Sequence, residues 1–226
     1  MTIGEALRRT REILSASPAI AARGTADAEA ERIVAHVLAR GGSEPRRLEL
    51  FSGSTRKIAE ESAERSFTLA RARAGGRPLQ HLTGTQVFLD HEYQVGPEVL
   101  VPRPETELLV MCAIEFLSSR GEISAQGLEI GLGSGAISIE LLARFPALRM
   151  IASELEAGAR AIAALNARRI LGEGTGGAGR LQILEAGSPQ AVCAPLSAAL
   201  GGSRAAFLVS NPPYLSPSDP MDRDVI

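Results

Sequence analysis

From residue 128 onward, short apolar runs and segments of helical periodicity take turns along the chain. This alternation constrains the fold more than any other feature of the sequence. Leu128 to Ile130 reads as a strand, Ala136 to Arg144 as a helix, Arg149 to Ala152 as a strand and Ala157 to Arg169 as a helix. Two further strands are expected at Leu181 to Leu184 and Ala206 to Ser210, with a Gly-rich, low-complexity loop from Gly172 to Gly179 between the helix and the first of them. Strands separated by helices cannot pair as tight hairpins, so they lie parallel with helices covering the sheet, and ligands of such sheets sit at the carboxyl ends of the strands. An α/β fold follows, and 226 residues of which 45% are hydrophobic suffice for its core.

The first third of the chain has a different character. Thr2 followed by Glu5 has the form of a capping box, and Ile3, Ala6, Leu7, Ile13 and Leu14 return at helical spacing until Pro18 closes the segment. A second helical pattern runs through Ala28, Ile33, Val34, Val37 and Leu38 to Gly41-Gly42, and a third from about Ser54 to Gly75-Gly76. Three or four helices are therefore expected before residue 77. Residues 1–76 carry 13 Lys and Arg against 10 Asp and Glu, a charge of +3 in a chain whose net charge is -2. That mild excess suits a docking module better than a nucleic-acid clamp, which needs a strongly basic face.

Between these parts, Thr85 to Leu89 and Glu92 to Val95 flank Asp90-His91 as two short strands flank a turn. Pro104 then suits a first helical turn, with Glu105 and Glu107 at the positive end of the dipole and a helix running through Leu109, Ile114 and Leu117. The expected organisation is a helical substrate-docking domain over 1–76, a β-hairpin linker over 77–103 and a ligand-binding domain over 104–226. No apolar run is long enough to cross a bilayer, and cytoplasmic residence is expected. Cys112 and Cys193 lack Cys-x-x-Cys spacing, and His36, His81 and His91 lack metal-ligand spacing, so neither a disulfide framework nor a metal is expected.

Three motifs carry chemistry. Glu129-Ile130-Gly131-Leu132-Gly133-Ser134-Gly135-Ala136 lies between a strand and a helix, where glycines allow a tight turn and close approach to a nucleotide-type ligand. Gly131, Gly133 and Ala136 also fit the dinucleotide fingerprint, so the loop alone leaves NAD and S-adenosylmethionine both open. Glu154 follows the next strand, where a carboxylate can accept hydrogen bonds from both hydroxyls of a ribose. Ser210-Asn211-Pro212-Pro213-Tyr214 ends the fourth strand of the sheet. An amide nitrogen is a poor nucleophile because its lone pair is delocalised into the carbonyl. The Asn211 side-chain oxygen and the Pro212 carbonyl can each accept one N–H of a planar NH2 group, Pro213 stiffens the turn, and Tyr214 offers an aromatic wall.

These stretches resemble the protein glutamine methyltransferases that modify peptide chain release factors, the PrmC/HemK family. Arg77-Pro78-Leu79-Gln80-His81-Leu82-Thr83-Gly84 is similar to the family's linker, Val101-Pro102-Arg103-Pro104-Glu105-Thr106-Glu107 to its most distinctive motif, and Asn211-Pro212-Pro213-Tyr214 to its catalytic turn. The resemblance implies a Rossmann-like sheet behind a small helical bundle. It implies S-adenosyl-L-methionine as cofactor, S-adenosyl-L-homocysteine as product, and methyl transfer to the glutamine amide in the Gly-Gly-Gln loop of class I release factors. Asn211, Pro212, Pro213 and Tyr214 would form the catalytic turn. Glu129, Gly131, Leu132, Gly133, Ser134, Gly135 and Glu154 would hold the cofactor, together with Gly187, Ser188 and Asn211. The family usually has Asp at the positions of Glu129 and Glu154, Thr at Leu132 and an acid near Ser188. Its members also continue past the position of Ile226 through strands that complete the sheet, so the isolated piece is expected to be poorly active. Two alternatives remain at this point: an adenine amino-group methyltransferase acting on nucleic acid, and a non-catalytic module with a degenerate cofactor site.

Overall fold

The computed structural model describes residues 1–39, 45, 47–120, 125–174, 176–186, 189–202 and 204–212. The described residues fall into two units, 1–83 and 84–212.

The first unit is all helix: α1 (Ile3–Ser15), α2 (Pro18–Arg23), α3 (Ala26–Leu38), α4 (Arg47–Ser52), α5 (Glu60–Ala74) and α6 (Leu79–Thr83). The capping box forms as read, with Glu5 N–H donating to Thr2 Oγ1 at 3.2 Å and Thr2 N–H to Glu5 Oε2 at 2.8 Å. Among the described residues five helices precede residue 77, against the three or four expected. The additional α2 and α4 are six residues each, too short to display a period. Pro18 closes α1 and also opens α2, since a proline loses nothing at a first helical position. Leu14, Ile20, Ile33 and Ala70 form one apolar cluster, and Ile3, Val34 and Leu50 another. Beside them Arg73 Nε meets Glu29 Oε2 at 2.7 Å, both side chains nearly excluded from solvent.

The second unit opens with an antiparallel hairpin, β1 (Thr85–Phe88) and β2 (His91–Gln94), followed by α7 (Pro104–Arg120). The alternation comes next: β3 (Gln126–Ile130), α8 (Ala136–Arg144), β4 (Arg149–Glu154), α9 (Ala157–Leu171), a 3-10 turn at Ala178–Arg180, β5 (Leu181–Glu185), α10 (Pro189–Leu200) and β6 (Phe207–Ser210). The strands pair in parallel in the order β5-β4-β3-β6, the α/β sheet that the alternation implies. Sequence reading missed α10, whose interior Pro195 removes an N–H and argues locally against a helix.

Alternating side chains serve the two faces of the sheet. Met150 and Ala152 join the larger core with α8, α9 and the hairpin residues Phe88 and Tyr93, while Leu128 and Ile151 face Leu196 of α10. Strand β3 has β4 on one side and β6 on the other, so the chain reverses its direction of sheet growth between β3 and β6. Such a reversal opens a crevice at the strand tips, here between the residues after Ile130 and those after Ser210. Among the described residues, no helix is long and apolar enough to cross a membrane.

Candidate functional site

The crevice is built from three directions. From β3 comes the glycine loop: Gly131 N–H and Leu132 N–H both donate to Ser153 O, at 3.0 and 3.1 Å, which pins the turn against β4. Gly131, Gly133 and Gly135 have φ of 76°, 55° and 85°, a region side chains rarely enter. Gly135 is needed for space as well, because a Cβ there would lie 2.8 Å from Ile139 Cδ1 and 3.3 Å from Ala163 Cβ. By contrast, nothing lies within 4 Å of where a Cβ would stand on Gly131 or Gly133, so the loop faces open space. From β4 comes Glu154, whose Oε2 accepts from Gly133 N–H at 2.9 Å and Oε1 from Glu156 N–H at 3.1 Å. Arg160 braces that turn, donating to the carbonyl oxygens of Glu154 and Leu155 and to Glu185 Oε2 at the tip of β5.

Glu129 is the unusual member. It is 1% exposed yet lines the cleft, and its Oε2 accepts from both the N–H and the hydroxyl of Ser138 on α8. Its Oε1 is buried with no hydrogen-bond partner among the described residues. Burial pushes its pKa up to about 8, against the pull of the two Ser138 bonds and with a push from the neighbouring Glu154 charge. At neutral pH this carboxyl is therefore largely protonated, holding a proton that a cationic or donor group arriving at Oε1 would displace.

From β6 comes Asn211, immediately beyond Ser210, whose hydroxyl donates to Ile130 O at 2.7 Å and locks the two strand tips together. Asn211 Nδ2 donates to Thr106 Oγ1 at 2.7 Å. Asn211, Thr106 and Arg103 line one open cleft with Glu129 and Gly131 through Ser134. The structure thus brings together Asn211, Glu129, Gly131, Leu132, Gly133 and Ser134, with Glu154 tied in through Gly133. Leu132 lines the cleft while remaining 3% exposed, its bulk absorbed by the core. Gly135 sits behind the loop against α9, and Pro212 is exposed beyond Asn211. Pro213, Tyr214, Gly187 and Ser188 lie outside the described residues.

The family model of the PrmC N-terminal domain matches residues 5–84. A release factor glutamine methyltransferase of Burkholderia pseudomallei is 36% identical over 210 residues, covering 92% of this chain and 66% of its own length. One of Chlorobaculum tepidum is 35% identical, covering 82% and 60%, and one of Cereibacter sphaeroides is 32% identical, covering 93% and 67%. The chain belongs to the release factor glutamine methyltransferase family. It spans about two thirds or less of the length of the first relatives it matches.

Several residues that hold this cleft were not singled out from sequence. Asn166 of α9, fully buried, donates from Nδ2 to Ser134 O at 2.9 Å and to Gln94 O at 3.0 Å, and accepts from Gln94 N–H at 2.7 Å. It ties the glycine loop to the hairpin. The available signal was a polar residue on the alanine face that Ala159, Ala163 and Ala167 define. His91 Nδ1 and the Tyr93 hydroxyl both meet Glu140 of α8, at 3.0 Å each, the only role the described residues give any histidine near this unit's core. Burial raises the Glu140 pKa while those two bonds lower it, and burial with the Glu140 charge raises that of Tyr93.

Proposed function

We propose that the chain carries the activity for which its relatives are named: methyl transfer to the glutamine side-chain amide in the Gly-Gly-Gln loop of class I release factors, with S-adenosyl-L-methionine as donor. The observation that carries this reading is Asn211 at the tip of β6, sharing one cleft with the glycine loop of β3. The residues present fit the donor. Glu129 Oε1 is a buried acceptor suited to a cationic group, Gly131 and Gly133 leave room for close backbone approach, and Glu154 offers a carboxylate to ribose hydroxyls. When bound, the donor supplies an electrophilic methyl group on a positively charged sulfur.

The chain's own part is orientation. Asn211 and the Pro212 carbonyl accept the two N–H groups of the acceptor amide, holding its plane and stabilising the positive charge that grows on nitrogen as it is methylated. The excess proton on nitrogen leaves to water, and no dedicated base is required. The helical unit docks the release factor, and cytoplasmic residence follows from that partner.

Labelled methyl transfer tests the reading. Transfer is expected to a release factor, not to its Gly-Gly-Gln glutamine variant and not to DNA. Asn211→Ala is expected to lower transfer by ~100-fold or more while S-adenosylhomocysteine still binds, because the residue positions the acceptor. Transfer to DNA, or an Asn211→Ala enzyme as fast as wild type, would overturn it.

A further inference from the structure

In the pairing of β4 with β5, Glu154 stands in register with Glu185, so the two strands end in acidic residues at the end of the sheet where ligands of such folds bind. Like charges opposite each other on neighbouring strands repel and push such ends apart. One cation answers them. Arg160, the fourth residue of α9, donates from Nη1 to the carbonyl oxygens of Glu154 and Leu155 and from Nη2 to Glu185 Oε2 at 2.8 Å. We infer that Arg160 is a positioning residue for the donor's ribose, its single guanidinium tying the tips of β4 and β5 together so that the Glu154 carboxylate stays aimed at the ligand; this rests on the reading of S-adenosyl-L-methionine as donor given above.

Side chains of a helix lean toward its N-terminus, so an arginine at the end of the first turn of α9 reaches back over the turn that joins β4 to it. The placement has a cost. A helix N-terminus carries partial positive charge that disfavours a cation, and the first turn of α9 holds no acidic residue to offset it. What the guanidinium gains is three acceptors, two on the main chain after β4 and one on the side chain at the end of β5. Glu185 is 73% exposed, so its ion pair contributes little to stability by itself, and the geometry that the three bonds impose together is the larger effect. The Glu154 carboxylate accepts from Gly133 N–H and Glu156 N–H. A carboxylate has about four lone-pair sites, which leaves two for the two hydroxyls of a ribose. The glycine loop thus holds the side chain of Glu154 while Arg160 holds its main chain. Without the guanidinium the charge of Glu185 faces Glu154 unopposed, the two carbonyls lose their donor, and the carboxylate is free to swing away from the hydroxyls.

Binding without turnover separates positioning from packing. Arg160→Met keeps an unbranched side chain and removes the guanidinium. Two probes are compared by calorimetry on the whole chain: S-adenosylhomocysteine and its 2′,3′-dideoxyribose analogue, which lacks both hydroxyls. Wild type is expected to bind S-adenosylhomocysteine ~10-fold or more tighter than the analogue, and Arg160→Met to lose ~10-fold for S-adenosylhomocysteine while staying within ~2-fold of wild type for the analogue. A purely structural role would weaken both ligands alike. Should Arg160→Met fail to fold, Arg160→Lys carries the same comparison: a single ammonium cannot serve three acceptors as the fork does, so a ~3-fold loss is expected for S-adenosylhomocysteine and none for the analogue. The inference is overturned if S-adenosylhomocysteine binds the variant as it binds wild type, or if both ligands lose equally. Failure of the underlying reading looks different, because it shows in wild type. Binding of neither probe there removes the donor, equal binding of both removes the ribose role of Glu154, and either result takes the inference with it.

Discussion

Glu129 keeps a carboxyl group almost wholly out of water with one oxygen unpaired, an arrangement that is affordable only while the group is neutral. Its pKa stands at about 8 in the folded protein against 4.5 for the ordinary side chain. The folded state therefore binds more protons than the unfolded state between those values, and stability is full below about 4.5 and falls as pH rises toward about 8. Glu129→Gln has no proton to lose. The variant is expected to gain on wild type as pH rises, by on the order of 1 kcal/mol or more near pH 8, in thermal melts compared at about pH 5 and about pH 8. A gap between the two proteins that does not change across this range would show that the carboxyl is already ionised. The same residue links ligand to proton: a cationic group reaching Oε1 favours the charged form, so S-adenosylhomocysteine binding near pH 7 should release a proton. Calorimetry in buffers of different ionisation enthalpy reads that number directly, and zero would remove Glu129 from the cleft's recognition of its ligand.

Among the elements, the joint between the hairpin and the sheet decides how well the glycine loop is held. Asn166 substitutes for a neighbouring strand on the outer edge of β2, satisfying both the N–H and the carbonyl of Gln94 while also bonding Ser134 in the loop. Asn166→Ala leaves buried backbone groups without partners and is expected to cost ~2–4 kcal/mol in denaturant unfolding. Cofactor affinity should fall with it, because Ser134 loses its tether. A cost under ~0.5 kcal/mol would mean that water replaces the side chain without loss. Local sequence signals reached most elements but not these ties. The capping box of α1, the start of α7 at Pro104 and of α8 at Ala136, and the parallel strands are properties of neighbouring residues, and each was legible. Helix α10 was hidden by Pro195, and α2 and α4 by their brevity. In the site, the glycine loop, Glu154 and Asn211 stood out because a turn or a strand end demands particular residues there. Ser138 and Asn166 did not, since their partners lie 9 and up to 72 residues away, and Thr106 stood in a distinctive motif without its partner Asn211, 105 residues on, being legible.

For the molecule as a whole, the two units draw on separate apolar clusters, so damage to one should not be felt in the other. In the helical unit, Arg73 and Glu29 form a buried ion pair at 2.7 Å whose carboxylate also accepts from Thr25 Oγ1 at 2.8 Å. Arg73→Met removes one partner and leaves Glu29 to be protonated or hydrated, at an expected cost of ~3–5 kcal/mol. Asn166→Ala acts in the sheet unit and shares no partner with that pair. In the double variant each unit should lose what its own substitution takes, with coupling below ~0.5 kcal/mol. Hydrogen–deuterium exchange resolves the two: α1, α3 and α5 lose protection with Arg73→Met, β3 and β4 with Asn166→Ala. Loss of protection in the sheet strands on Arg73→Met alone would mean that the units unfold as one cooperative body.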